Sequence, residues 1–404
     1  MSKLEELIQQ HCPDGVEYKK LGDLGTFENI GVDKKTIEGQ PLVSLLNYVD
    51  VYKNIYIDNN VPQMVVSATP KKIKDCTCEK GDIFLTPTSE TRDDIGHASV
   101  ITETLVNTVY SYHIMRFRLT ETNNMITSFF IRYLFETELV QKQIYKLAKG
   151  LTRFGLSKYD FEKIEIPYPP IEVQEEIVRI LDDFTNLTAE LQAELQARQQ
   201  QYEYYRDKLL SFSNLSNRGG WNVSVEWKKL GDVCTVFTGG EVPDNSIKGN
   251  EPQGDMVYPI WGNGKDVYGF AATYQIDQDA VCVSSIGANT GAIFYHKAFF
   301  TPIIRLKVLI PKDDTLSARY LFHTLSVIGF DVKKSSVPNM NANEVKQKSI
   351  PIPPLAEQQR IVDILDRFDK LTTDITEGIP AEIEARRKQY EYYRDKLLTF
   401  KQKV

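Results

Sequence analysis

The chain has 404 residues, 42% of them apolar and 25% charged, with a formal net charge of −7 at neutral pH. That length holds two or three ordinary domains. The acidic balance argues against a protein that coats nucleic acid unselectively, though not against a reader whose positive charge is local or lent by a partner. No run of about 18 uncharged apolar residues occurs, so no membrane span is expected.

The first residues, MSKLEELIQQ, form an amphipathic acidic segment without the apolar stretch of a signal peptide. Five cysteines (Cys12, Cys76, Cys78, Cys234, Cys282) are an odd, scattered set. Cys76 and Cys78 stand too close together for a zinc knuckle and have no second pair to match them. All five read as reduced and structural, as expected of a cytoplasmic protein.

VEYKKLGDL (16–24) opens a long first segment. Alternating or β-branched stretches follow in NVPQMVVSA (60–68), GDIFLTPTSE (81–90) and SYHIMRFRL (111–119). ITSFFIRYLFETELVQKQIYKLAKG (126–150) then reads as helix. Strands first and a helix near the end predict an α+β domain.

IPYPPIEVQEEIVRILDDF (166–184) comes next. Pro169 and Pro170 stop what precedes them and suit a first helical turn; Glu172, Glu175 and Glu176 place negative charge near that N-terminus. A seam then runs Ile177, Leu181, Phe184, Thr188, Leu191, Leu195, Arg198, Tyr202, Tyr205, Leu209, Phe212, with spacings that alternate four and three. This heptad stripe predicts a coiled-coil helix over 172–212, about 60 Å long. It ends in the cassette QYEYYRDKLLSF (201–212).

The same landmarks then return in the same order. VEWKKLGDV (225–233) matches the opening at an offset of 209, IPIPPLAEQQRIVDILDRF (350–368) matches at 184, and QYEYYRDKLLTF (389–400) at 188. Between them DAVCVSSIGANTGAIFYH (279–296) and TPIIRLKVLI (301–310) read as strands, and LSARYLFHTLSVIGF (316–330) as helix. The second seam keeps register through Ile361, Leu365, Phe368, Thr372 and Ile375, gains four residues near Glu377-Gly378-Ile379-Pro380, and resumes at Ile383, Arg386, Tyr390, Tyr393, Leu397 and Phe400. Gly-Ile-Pro within a four-residue insertion should kink or interrupt the helix.

The chain is therefore a tandem duplication in which two similar frames carry dissimilar inserts. Two long helices with matching seams most simply pack on each other, antiparallel, as an internal pseudo-twofold repeat. In the cassettes Tyr204, Arg206, Asp207 and Tyr392, Arg394, Asp395 fall off the seam. They are either a solvated helical face or an outward patch for a partner subunit, of the residue types favoured at interface hot spots.

CPDGVEYKKLGDLG, IPYPPIEVQEEIVRILDDF and IPIPPLAEQQRIVDILDRF, duplicated at this distance, resemble the specificity subunit of type I restriction-modification enzymes across essentially the whole chain. The resemblance implies two target-recognition domains (1–165 and 216–349), each followed by a conserved helical spacer (166–215 and 350–404). Each domain would read half of a split site in double-stranded DNA. Two methyltransferase subunits carrying S-adenosylmethionine would dock on the helices, and restriction subunits using ATP and Mg would join to cleave. This chain would hold no cofactor of its own.

Reading bases needs hydrogen-bonding side chains, and phosphates need cations. In the first insert such residues gather at Lys71, Lys72 and Lys74, at Thr86, Thr88, Ser89, Thr91 and Arg92, and at Lys149 and Arg153. In the second they are Trp261, Asn263 and Lys265, then Ser284, Ser285, Asn289 and Thr290, then Lys333, Lys334, Asn339 and Asn341. KGLTRFGLS and SSVPNMNAN occupy paired positions just upstream of each IPxPP. For any one of them the duller reading is a turn former.

Catalytic signals fail on inspection. Asp14, Glu17 and Lys19 imitate a nuclease PD…ExK set, but the spacing is too short and the second copy lacks the Pro-Asp pair. No [NDS]PP[YFW] loop follows either Pro-Pro, no GxxxxGK[ST] occurs, and Gly262-Asn263-Gly264 has no third glycine. The five histidines never reach metal-ligand spacing with one another. A non-catalytic DNA-reading subunit is the leading reading; a cryptic nuclease or methyltransferase and a coiled-coil scaffold with protein-binding inserts are the alternatives.

Overall fold

The structure is a computed structural model that describes residues 3–120, 127–212, 225–331, 339–374 and 377–403. The chain forms two compact units, one of residues 1–190 with 383–404 and the other of residues 191–382.

The repeated landmarks are paired in space. In the first unit Glu17–Lys20 runs antiparallel to Glu165–Tyr168, with Tyr18 opposite Pro167. In the second, Glu226–Lys229 runs antiparallel to Ser349–Ile352 in the matching register. A two-stranded ribbon has only edges, so it tolerates the prolines of IPxPP. Each ribbon leads into a one-turn helix, Leu21–Leu24 or Leu230–Val233, whose first leucine is fully buried. Opening and IPxPP thus clasp each insert at its neck.

The glutamine eight residues into each IPxPPxxxQ string also has a physical reason. Gln174 Nε2 donates to the Pro169 carbonyl at 2.7 Å and its Oε1 accepts from the Thr127 amide at 2.9 Å. Gln358 repeats this with the Pro353 carbonyl and the Ser317 amide, both at 2.9 Å. Both side chains are fully buried. Each ties the Pro-Pro corner to the start of a helix of its insert, Ser128–Leu134 or Ala318–Ile328, and orphaning either end of the amide would cost about 1–3 kcal/mol.

The first insert contains a five-stranded sheet ordered Gly25–Glu28, Met115–Leu119, Ile83–Leu85, Ala98–Ile101, Tyr56–Ile57, and a three-stranded one ordered Met64–Ser67, Leu42–Leu46, Thr108–Tyr110. Ile83–Leu85 and Ala98–Ile101 are buried on both faces, which explains the apolar run of the first, while the one polar residue of the second, Ser99, donates to the Val51 carbonyl at 2.8 Å. The helix expected over 126–150 is two helices, Ser128–Leu134 and Glu138–Leu147. Thr137 divides them: its hydroxyl donates back to the Leu134 carbonyl at 2.6 Å and accepts from the Val140 amide at 3.4 Å, capping the second helix.

The second insert has two four-stranded sheets, Cys234–Thr238, Lys307–Pro311, Ala280–Val283, Ile293–His296 and Ser246–Lys248, Gly269–Ala271, Tyr258–Trp261, Thr301–Pro302. Its helix Ala318–Ile328 is capped by Ser317 and ended by Gly329 at φ 60°. The string Arg-Tyr-Leu-Phe sits on this helix at 319–322 and on the corresponding helix of the first unit at 132–135. An aspartate of each IPxPP helix holds it. Asp182 accepts the hydroxyls of Tyr133, at 2.5 Å, and Tyr56. Asp366 accepts Arg319 Nε at 2.8 Å and pairs with His323 Nε2 at 2.7 Å.

The central helix is continuous from Ile171 to Leu210, 40 residues or about 60 Å. Ile177 and Leu181 are fully buried; Phe184, Thr188, Leu191, Leu195, Arg198 and Tyr202 are half-buried with exposed positions between them, as the heptad stripe requires. Its counterpart is two helices, Leu355–Thr373 and Ile379–Leu397, broken at the insertion. The seam position Ile375 lies outside the described residues.

The cassettes are exchanged between the repeats. In the first unit Phe184 stacks on Tyr393 with ring centres 5.6 Å apart; in the second Phe368 stacks on Tyr205 at 5.8 Å. Tyr390 donates to Glu136 at 2.5 Å, and the Tyr18 hydroxyl donates to the Phe400 carbonyl at 2.9 Å. Each unit is completed by the cassette of the other repeat, which is why the first unit draws on both ends of the chain.

Candidate nucleic-acid interface

In the first unit two candidate segments meet. Thr88–Ser89, Phe154–Gly155 and Lys149–Gly150 form one small antiparallel sheet. Arg153 donates to Thr88 Oγ1 at 3.2 Å. The Arg92 guanidinium lies 4.9 Å over the Phe154 ring and 5.7 Å over Tyr145, a cation held on apolar faces. Thr91, Lys149 and Arg153 are exposed, and Leu151 at the hairpin tip is 95% exposed. Lys149 stands 3.8 Å from Asp160.

Other candidates in this unit serve the structure. Thr86 is fully buried, its hydroxyl accepting from the His97 amide at 3.0 Å, so it is closed to a duplex. Ser89 donates to Asp94 at 2.9 Å, which also takes the Tyr52 hydroxyl at 3.1 Å and pairs with His97 at 2.8 Å. Burial pushes the Asp94 carboxyl up, but hydrogen bonds from His97, Ser89 and Tyr52 outweigh it and hold it below the usual carboxylate range. Lys71 and Lys74 are exposed on Pro70–Asp75, whereas Lys72 Nζ is bound to the carbonyls of Ile30 and, at 3.2 Å, Gly31.

Gly150 carries the hairpin. It sits at φ +143°, and a Cβ there would lie 1.9 Å from the Arg153 carbonyl oxygen. Gly150→Ala is expected to detach residues 149–155: their amides should exchange at least tenfold faster while the unit's unfolding temperature moves by no more than about 2 °C. Unchanged exchange in that segment would show that the hairpin does not depend on the glycine.

In the second unit the candidates interlock. Asn263 Oδ1 accepts from Ser284 Oγ at 3.2 Å and the Ser285 amide at 2.8 Å, and Asn289 donates to the Asn263 carbonyl at 3.2 Å. Ser284 and Ser285 are fully buried, so these two hydroxyls hold the loop and do not face solvent. Thr290 donates to the Gly287 carbonyl at 2.7 Å. Asn339 bridges to Ile286, while Asn341 caps Ala342–Gln347. Trp261 stacks on His296 at 4.2 Å. Lys265, Asn289 and Asn339 remain exposed; Lys333 and Lys334 lie outside the described residues.

Tyr145 and Leu151 flank the first cluster, and Ile304 and Arg305 the second, with no motif around them in the sequence. In TPIIRLKVLI the apolar run hides a turn. A signal was present in Arg305, a charge inside that run.

The cassette candidates divide. Tyr204 and Tyr392 are 61% and 62% exposed, with Lys208 Nζ 5.6 Å and Lys396 Nζ 5.8 Å from their ring centres. Arg206 and Arg394 are engaged with Asp207 and Asp395 at 2.8 and 3.0 Å and lie over Tyr202 and Tyr390. The two outward faces are near copies. All five cysteines are buried and unbridged, and burial pushes their thiols up, Cys234 to about 12. Among the described residues no group of three or more His, Cys, Asp or Glu could hold a metal ion, and no helix is long and apolar enough to cross a membrane.

Residues 13–198 and 222–385 match the type I restriction modification DNA specificity domain. The chain is 38% identical over 275 residues to the EcoR124I/EcoR124II specificity subunit of Escherichia coli, covering 61% of this chain and 66% of that one, so it spans just under two thirds of that relative. It is 36% identical over 257 residues to a putative type I specificity subunit of Mycoplasma pneumoniae, covering 59% of this chain and 73% of the other. A crystal structure of a type I restriction-modification S subunit from M. genitalium shares the fold, with a TM-score of 0.58 at 14% identity over 95% of this chain and 96% of the other. Both clasped inserts and both IPxPP corners fall within the matched ranges, and the chain belongs to the type I restriction-modification DNA specificity family.

Proposed function

We propose that this chain is the DNA-reading subunit of a type I restriction-modification complex, with no catalysis of its own. The observation that carries this reading is the duplicated frame: each clasp carries an unlike insert, with Lys149 and Arg153 exposed on one hairpin of the first and Lys265, Asn289 and Asn339 exposed on the loops of the second. Each insert reads one half of a bipartite site. Phosphate contacts set position, and loop side chains read base edges. The near-identical faces around Tyr204 and Tyr392 dock two methyltransferase subunits, which carry S-adenosylmethionine and flip an adenine in each half-site. Restriction subunits, with ATP and Mg, join that assembly.

The test is an exchange of residues 16–165 for the matching segment of another family member, followed by mapping of methylated adenines in host DNA. One half of the methylated motif should change and the other half stay. A motif that changes in both halves, or not at all, would sink the reading.

A further inference from the structure

The second unit holds two consecutive non-glycine residues in the left-handed region, Ile304 at φ 51° and Arg305 at φ 61°. For a β-branched residue this is a costly conformation, and such strain persists only where the surroundings enforce it. They do so here. The Ile304 amide donates to the Gly240 carbonyl at 2.8 Å, the Arg305 amide to the Gly239 carbonyl at 3.1 Å, and the Leu306 amide closes the turn on the Ile303 carbonyl at 3.1 Å. Asn263 Nδ2 donates to the Ile304 carbonyl at 2.5 Å, and Ser285 Oγ to the Arg305 carbonyl at 2.6 Å. Ile303 and Leu306 are fully buried. Every anchor points inward, while Ile304 is 47% exposed and Arg305 is exposed. Among the described residues no carboxylate pairs with Arg305. Glycine at either position would relieve the strain, yet two side chains are held out instead.

The first unit has a turn at the corresponding place, closed by the same pair of bonds but without left-handed residues. The Ile114 amide closes on the Ser111 carbonyl at 3.2 Å, and Ser111 bridges Val32 as Ile303 bridges Gly240. Its tip carries Tyr112, 46% exposed, and His113. Corresponding turns thus present Tyr-His in one unit and Ile-Arg in the other, and only the second holds its pair out on left-handed backbone. Both stand beside candidate loops: the Lys72 amine holds the Ile30 and Gly31 carbonyls next to the first turn, and Asn263 and Ser285 hold the second.

We propose that the turn Ile303–Leu306 is the base-reading finger of the second unit, with Arg305 donating both arms of its fork to the O6 and N7 acceptors of one guanine and Ile304 packing on a neighbouring thymine methyl. An exposed guanidinium with free donors next to an apolar side chain fits that pair of groove features. Asn263 and Ser285 then hold the finger and do not read.

This inference rests on the DNA-reading function proposed above. The test uses the chain assembled with its methyltransferase subunits. Methylation rates are measured on duplexes carrying each base in turn at every position of the recognised site. Arg305→Ala should lower the preference for guanine at one position of one half-site by roughly ten- to a hundredfold, leaving the other half-site unchanged. Ile304→Gly should raise the unfolding temperature of this unit by about 2–4 °C while relaxing the adjacent position. Equal weakening on every sequence, with the salt dependence reduced by about one ion, would make Arg305 a phosphate contact and overturn the inference. Unchanged preferences in a wild-type complex that does read a bipartite site would overturn it as well. A wild-type complex that recognises no bipartite site at all would instead overturn the proposed function.

Discussion

Asp182→Ala is expected to destabilise the first unit by about 3 kcal/mol, lowering its unfolding temperature by roughly 6–12 °C. Asp182 accepts the hydroxyls of Tyr133 and Tyr56. Tyr133 is fully buried and Tyr56 half-buried, and in both burial first and the carboxylate second hold the phenol proton on, pushing the group well above its ordinary value. Removing the acceptor leaves two phenols with only each other, at 3.4 Å. A hydrogen bond to a charged group contributes about 1.5–3 kcal/mol, and the residual tyrosine pair recovers part of the loss. Asp182→Asn keeps an acceptor and should cost about half as much. Thermal unfolding of the three proteins settles it: if the alanine variant melts with the wild type, Asp182 does not hold the Arg-Tyr-Leu-Phe helix.

Lowering the pH from 7 to 5 should weaken the second unit by about 2 kcal/mol through His296 alone. Burial among Trp261, Phe294 and Phe300 pushes this imidazole down to about 4, and its Nε2 has no hydrogen-bond partner to stabilise a second proton. In the unfolded chain it takes up a proton near 6.5. The folded state prefers the neutral form, so the contribution is complete above about 6.5 and is lost as the pH falls towards 4. His323 acts in the same direction, because burial, helped by Arg319, outweighs Asp366. His296→Phe should therefore flatten the acid limb between pH 7 and 5. Denaturant unfolding at the two pH values gives the answer; an equally steep loss in the variant would remove His296 as the cause.

The frame was legible because its signals are local. Alternating four- and three-residue steps predict a heptad stripe, and the structure has a continuous helix over Ile171–Leu210 with that stripe half-buried. Gly378 and Pro380 within a four-residue insertion predict a break, and the helix stops at Thr373 and restarts at Ile379. Where the structure differs from those expectations, hydrogen bonds that residue type does not announce had the say, some local and some long-range. Thr137 splits an unbroken helical pattern by capping from within. Thr86, Ser284 and Ser285 have the chemistry of base readers, but they are buried and spent on neighbouring strands and loops. Arg305 reads as strand, because nothing local reveals that Gly239, Gly240, Asn263 and Ser285 converge on its turn.

Order and periodicity along the chain were enough to establish two repeats, unlike inserts and coiled-coil helices, since helix spacing and proline chemistry act within a few residues. Tertiary structure alone decided that the openings pair with the IPxPP strands, that each unit borrows the other repeat's cassette, and which polar side chains face solvent. Those outcomes depend on contacts between residues tens to hundreds of positions apart, where burial and hydrogen-bond satisfaction outweigh anything residue type specifies by itself.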